Sequence, residues 1–185
     1  MKGGKFFLYA FLTAVLAGVV TIFTWNINGF IIKGNTPLTY ITFCTWAMYF
    51  MIGANPKAAL KAFSSMIAGI IAAILMFELS ILFGFTPIWA VPVAVIIMVV
   101  PMMYMEKVKP FSNVAAVFIG TGLYFSLSAA NAIPALDVGS FALAGLGELF
   151  YTLVGFVAGW ITIQFYVMLS KPASQSSSAS ISKEV

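Results

Sequence analysis

Six apolar runs divide the chain: Phe6 to Trp25, Leu38 to Gly53, Phe63 to Gly84, Ile88 to Met105, Phe111 to Ala130 and Phe141 to Leu169. The runs are continuous blocks, not the one-sided stripes of a water-soluble helix, so each predicts a helix that is apolar all round. A spanning helix needs about 17 to 25 such residues, which makes the second run short and the sixth long. The pattern predicts an all-α, polytopic membrane protein with six transmembrane helices in one domain over residues 1–170. The remaining stretch, "KPASQSSSASISKEV", is serine-rich and without apolar periodicity, and residues 171–185 are expected to form a disordered tail.

The lysines orient this threading. Lys2 and Lys5 precede the first run, Lys57 and Lys61 separate the second from the third, Lys107 and Lys109 separate the fourth from the fifth, and Lys171 and Lys183 follow the sixth. Six spans place all eight on one side and leave only Lys33 on the other. Cytoplasmic loops carry the excess of lysine and arginine, so both termini are expected in the cytoplasm. The first run, at about 20 residues, exceeds the apolar core of a secretory signal and reads as an uncleaved span.

Punctuation at the run boundaries carries more detail. "TPLTY" from Thr36 and "TPIWA" from Thr86 each set a threonine at an N-cap and a proline at the first helical position, where its missing N–H costs nothing. "KAFSS" from Lys61 and "KPFSN" from Lys109 share K-x-F-S and open the third and fifth helices. Together these starts outline an internal repeat of helical hairpins offset by 48 to 50 residues, with "IPALD" from Ile133 opening a third copy. Pro92 and Pro101 lie inside the fourth run, where Pro101 removes a helical hydrogen bond near "PMMYM". "NINGFIIKGN", Asn26 to Asn35, reads as a loop with its apolar residues at the interface; a re-entrant stretch is the alternative. Most tryptophans and tyrosines, among them Trp25, Trp46, Trp89, Trp160 and Tyr49, fall toward run ends as interfacial belts.

Within the runs, small and polar residues mark contact faces. Glu148, Thr152, Gly155, Gly159, Thr162 and Tyr166 recur at three- and four-residue steps and form one stripe of the sixth helix, with Leu149, Phe156 and Ile163 directed elsewhere. Gly155 and Gly159 make a small-xxx-small pair that lets another backbone approach. Gly120 and Gly122, with Ala115 and Ala129, suggest a similar packing face on the fifth helix.

Two acids lie inside the apolar runs. Counted from the run boundaries, Glu78 and Glu148 both fall about 10 Å inward from the outer edge. A charged carboxylate at the bilayer centre costs about 2.5 to 3.5 kcal/mol on insertion scales, so such a group takes up a proton, pairs or is wetted. No lysine lies at that depth, and only Lys33, reaching down from its loop, is placed to pair. Two carboxyls sharing a proton, or one carboxyl in a wet vestibule, fit a proton-coupled or cation-conducting path, with Glu78, Glu148 and Thr152 as its lining. Neutral acids bonded to a neighbouring helix are the structural alternative.

Composition narrows the chemistry. The chain of 185 residues is 62% hydrophobic and 8% charged, with five acids, nine lysines and neither arginine nor histidine. Its mean hydropathy is +1.07. Without histidine, and with Cys44 as the sole thiol, zinc sites, thiol dyads and Ser-His-Asp triads have no ligands or bases to use. No metal, cofactor or enzymatic activity is expected, and Cys44 reads as a small buried side chain. The net charge of +4 comes from lysines at run ends, not from a basic helix face, so nucleic acid is not an expected partner.

"TFCTWAMYFMIGANPKAALKAF", "KPFSNVAAVFIGTGLYF" and "LVGFVAGW" resemble, in order and spacing, a bacterial inner-membrane family known as domain of unknown function 1097. The resemblance spans Phe6 to Leu169 and implies a small polytopic inner-membrane protein; it implies no activity and no site residues. The sequence thus leads to two expectations. One is a channel or transporter for a small solute, working in the bilayer as a homo-oligomer; the other is a non-transporting scaffold or accessory subunit of a membrane complex.

Overall fold

The structure, a computed structural model, describes residues 3–31, 38–84, 86–133 and 135–170, with the side chains of 28–31 and 87 excluded. Its helices are α1 (Gly3–Ile31), α2 (Thr39–Met51), α3 (Pro56–Leu82), α4 (Pro87–Tyr104), α5 (Val114–Ala129) and α6 (Val138–Ser170). Short 3₁₀ turns at Met105–Lys107 and Lys109–Phe111 join α4 to α5, and there is no strand among the described residues. Four helices, α1, α3, α4 and α6, are long and apolar enough to cross a membrane. At 1.5 Å per residue the 13 residues of α2 and the 16 of α5 reach only about 20 and 24 Å.

The local chemistry explains several boundaries. α2 stops where Gly53 enters the left-handed region at φ 87°, and the Ala54 N–H closes the turn on the Tyr49 carbonyl at 2.9 Å. Asn55 then caps α3, its side-chain oxygen accepting the Lys57 N–H at 2.8 Å, with Pro56 at the first helical position. α3 therefore starts seven residues before the apolar run and holds Lys57 and Lys61 in its first two turns. Asn113 caps α5 in the same way through the Ala116 N–H. Thr86 and Pro87 open α4 as expected, although the Thr86 side chain makes no cap bond. Thr36 and Pro37 lie outside the described residues, as do Lys2, Lys33, Lys171, Lys183 and the tail at 171–185.

α1 continues past Trp25 to Ile31, so the first part of "NINGFIIKGN" is helix, not loop. Asn26 tolerates this because its side-chain amide donates back to the Ile22 carbonyl at 2.7 Å, one turn earlier. α4 likewise runs unbroken through Pro92 and Pro101.

α3 and α6 are the central helices. α3 packs on α4, α5 and α6, while α6 packs on α1, α2, α3 and α5. Of the most apolar window of α6 56% is buried and of that of α3 39%, against 6% for α1 and 17% for α4, so the latter two present their sides outward. α2 runs parallel to α6, with Thr42, Thr45 and Tyr49 against Tyr151, Gly155 and Gly159 in turn. α3 runs parallel to α5, and α1 is antiparallel to α6, as the ring contacts Tyr9–Tyr166 and Phe23–Phe150 show. Large side chains such as Phe7, Leu82 and Ile88 are exposed around this bundle, as an apolar solvent requires.

Parallel packing of α3 on α5 sets the two K-x-F-S openings side by side. The Ser65 hydroxyl accepts the Asn113 N–H at 3.2 Å across 48 residues, and the Ser64 hydroxyl donates to the Pro110 carbonyl. The helix directions bring all the described lysines to one end of the bundle, where Lys5 donates to the Leu169 carbonyl and Lys107 lies over the Tyr104 ring.

Three expectations change. Trp46 and Tyr49 are interior rather than interfacial, because α2 is wedged against α6, whereas Trp25, Trp89 and Trp160 are exposed. Phe156 also turns inward, packing on Tyr49 beside the α6 stripe. Cys44 is exposed on the outer face of α2, not buried.

Candidate functional site

The half of the bundle away from the lysines contains a polar inlay. Thr24 of α1 and Thr39 of α2 share a hydrogen bond of 2.8 Å, and the Tyr151 hydroxyl of α6 donates to the Thr24 carbonyl at 3.4 Å. Thr42 donates to the Tyr151 carbonyl at 3.2 Å, and Ser126 of α5 donates to the Tyr40 hydroxyl at 2.9 Å. The Tyr124 hydroxyl donates to the Phe141 carbonyl at 2.8 Å. Each of these groups satisfies the rule that a buried polar atom finds a partner.

Glu148 breaks that rule. It is fully enclosed, at 0% exposure, and neither carboxyl oxygen has a hydrogen-bond partner. Thr152, one turn along α6, is equally enclosed, and its hydroxyl has no partner either. A helical threonine ordinarily hands its hydroxyl to the carbonyl four residues back, as Thr24, Thr45, Thr121 and Thr162 do here. Thr152 does not, and the carbonyl it passes over is that of Glu148. Leaving such groups buried and unpaired costs about 1 to 3 kcal/mol for a neutral one and several more for a charge. The site therefore holds three oxygens able to engage a proton, a cation or a polar solute.

Glu78 belongs to a different level. α3 and α6 are antiparallel, with Ile70 and Ile74 beside Gly145 and the Phe77 ring stacked on Phe141 at 5.8 Å. This register sets Glu148 opposite the region of Ile70, about 12 Å from the level of Glu78 along the helix axis. The equal depth expected from run boundaries fails because α3 ends two residues before its run and α6 begins three before its own. The two carboxyls share no hydrogen bond; Glu78 is half-buried, with its Oε1 unpartnered. Tyr124, packed on Phe77 and bonded to the Phe141 carbonyl, lies near the level of Glu78.

The glycines of the sequence reading divide sharply. A Cβ on Gly155 would collide with the Thr45 hydroxyl and lie 2.5 Å from the Thr42 carbonyl oxygen, and one on Gly159 would lie 2.8 Å from the Tyr49 ring. A Cβ on Gly120 would lie 2.7 Å from the Met66 carbonyl oxygen. At Gly120 and Gly155 backbone faces backbone, whereas Gly159 makes room for the Tyr49 side chain. Gly122, with Ala115 and Ala129, is exposed and meets nothing within 4 Å, so it takes no part in helix packing within the bundle. Residues two apart on a helix point about 200° from each other, and the buried side of α5 is that of Ala116, Gly120, Leu123 and Leu127.

Gly69 completes the α3–α5 contact, facing the Val117 carbonyl and receiving the Thr121 hydroxyl on its own carbonyl at 2.9 Å. Sequence spacing did not single it out, although "AGIIAAI" carries the small residues that such a crossing needs. At the end of the bundle opposite the lysines, Asp137 opens α6 by accepting the Ser140 N–H at 2.9 Å and the Ser140 hydroxyl at 3.0 Å. These bonds hold its carboxyl below the usual carboxylate range. No cluster of metal-binding side chains occurs among the described residues.

Neither a curated protein nor a solved structure matches the chain. The family model described as "Protein of unknown function (DUF1097)" matches residues 10–167, which take in Glu78, Glu148, Thr152 and every packing glycine above, and the chain belongs to that family.

Proposed function

We propose that this protein is a multi-pass inner-membrane channel or transporter for a small solute, with both termini in the cytoplasm, and that Glu148 and Thr152 form its polar station. The reading rests on one observation: the only carboxyl wholly enclosed among the described residues, with both oxygens unpartnered, sits one helical turn from the only buried threonine without a partner. An acid of no structural use is expensive to keep inside a bundle and is characteristic of ion and solute paths. Glu78, nearer the outer end of α3, serves as the approach to that station. Six helices enclose little space, so the working unit is a homo-oligomer, and the short α2 and α5 complete the count of six spans within it. No enzymatic step is part of this reading.

The test is proton uptake into pyranine-loaded proteoliposomes under an imposed pH gradient. Wild-type protein should conduct, and Glu148→Gln with Glu78→Gln should remove the pH-dependent component. Equal rates for the two would refute the role of the acids.

A second reading, a non-transporting scaffold or accessory subunit, draws support from the close glycine contacts of α2 with α6 and α3 with α5, which leave no channel between those pairs. It predicts no flux, and a partner protein that co-purifies at fixed stoichiometry.

A further inference from the structure

A groove of about 420 Å³ runs down the flank of the bundle between α2, α3 and α6, walled by Tyr49, Phe156, Val157 and Trp160. Its sides are almost wholly apolar, and it opens laterally, with Leu60 at 71% and Trp160 at 46% exposure. At the lysine end it meets a second hollow of about 530 Å³, and Leu60 and Phe63 belong to the walls of both. Lys57, Lys61 and Lys109 rim that second hollow. The internal repeat brings them together: Lys61 and Lys109 hold equivalent places in the two K-x-F-S openings, which Ser64 and Ser65 tie side by side.

None of the three lysines has an ion-pair partner among the described residues, and Glu106 is the only described acid at this end of the bundle. Tyr49 forms the inner wall of the groove. Tyr49 is 2% exposed, and its hydroxyl has no partner in the protein. An apolar slot with three cations beyond one end follows the order of acyl chain and phosphate in a phospholipid.

We propose that this compound site holds one anionic phospholipid, its phosphate among Lys57, Lys61 and Lys109 and an acyl chain in the groove beside Tyr49 and Trp160. Basic pockets between helices at the cytoplasmic side favour anionic head groups, and each lysine adds to the attraction. A second copy of the chain fits less well. A two-fold contact on this face sets lysines against lysines, with Glu106 alone to meet them. A free phosphate would use the cations and leave the groove idle.

The probes are dioleoyl phosphatidylglycerol and dioleoyl phosphatidylcholine, titrated into the detergent-solubilised full chain and followed by native mass spectrometry. Phosphatidylglycerol should bind roughly tenfold to a hundredfold more tightly. The exposed triple change K57Q/K61Q/K109Q should reduce its affinity to that of phosphatidylcholine, while K57R/K61R/K109R should retain it, which separates charge from folding. Val157→Trp, which fills the groove, should weaken both lipids. Equal binding of the two lipids by the wild type, or an unchanged affinity in the glutamine variant, would overturn the proposal. So would inorganic phosphate displacing phosphatidylglycerol at matching concentration, since that would assign the site to a free anion.

Discussion

Gly69 on α3 lies so close to Val117 on α5 that any Cβ at position 69 would collide with the Val117 carbonyl oxygen. Gly120 returns the contact on Met66, so two backbones cross with no side chain between them. Overpacking at such a crossing costs about 1 to 3 kcal/mol. Gly69→Ala and Gly120→Ala should each lower the thermal midpoint in detergent, read by fluorescence-detected size exclusion. Gly122→Ala, on the open side of the same helix, should leave it unchanged or raise it, because alanine is the better helix former by about 1 kcal/mol.

The α2–α6 contact offers a coupling experiment. At Gly155 the first obstacle to a methyl group is the Thr45 side chain, but the Thr42 carbonyl and the Trp46 N–H stand close behind it. Thr45→Ala removes only the first. The double variant G155A/T45A should therefore recover part of the stability lost in G155A, with a coupling of about 0.5 to 2 kcal/mol in a double-mutant cycle. Full recovery, or none, would place the helices at a different separation.

Much of this architecture was legible in the chain, and what was not has definite causes. Hydropathy found every helix but missed the first two turns of α3, since Lys57 and Lys61 interrupt the apolar count while their stems lie along the helix. It closed α1 too early at Trp25 because asparagines read as loop, although Asn26 satisfies itself on the turn before it. Spacing alone named both Gly120 and Gly122; only the identity of the facing helix decides between them. Glu148 was conspicuous as an acid in an apolar run. That its oxygens and the Thr152 hydroxyl all lack partners is a property of the assembled bundle, which no linear pattern encodes.

Asp137 makes a prediction about acid. Its carboxyl accepts two bonds from Ser140 at the start of α6 and titrates below the usual carboxylate range. A group with a depressed folded value stabilises the fold above its unfolded value and loses that contribution as pH falls through the folded one. Asp137→Ala should therefore destabilise the protein at neutral pH. The gap to wild type should narrow as pH is lowered below about 4. Thermal midpoints of both proteins across pH 3 to 7 measure this, and a constant gap would exclude the cap as its source.

Glu148 and Thr152 allow function to be separated from architecture by the sign of a stability change. Thr121 bonds the Gly69 carbonyl across helices, so Thr121→Val should cost about 1 kcal/mol. Thr152 has no bond to lose, and Thr152→Val should be neutral or stabilising. Glu148 carries the stronger case: replacing an enclosed, unpaired carboxyl with a leucine removes a desolvation cost and keeps most of the volume. Glu148→Leu should raise the thermal midpoint while abolishing proton uptake by proteoliposomes, the opposite signs that a site held against stability produces. A Glu148→Leu protein that is less stable would mean that the carboxyl supports the bundle, and the polar station would then have to be sought elsewhere.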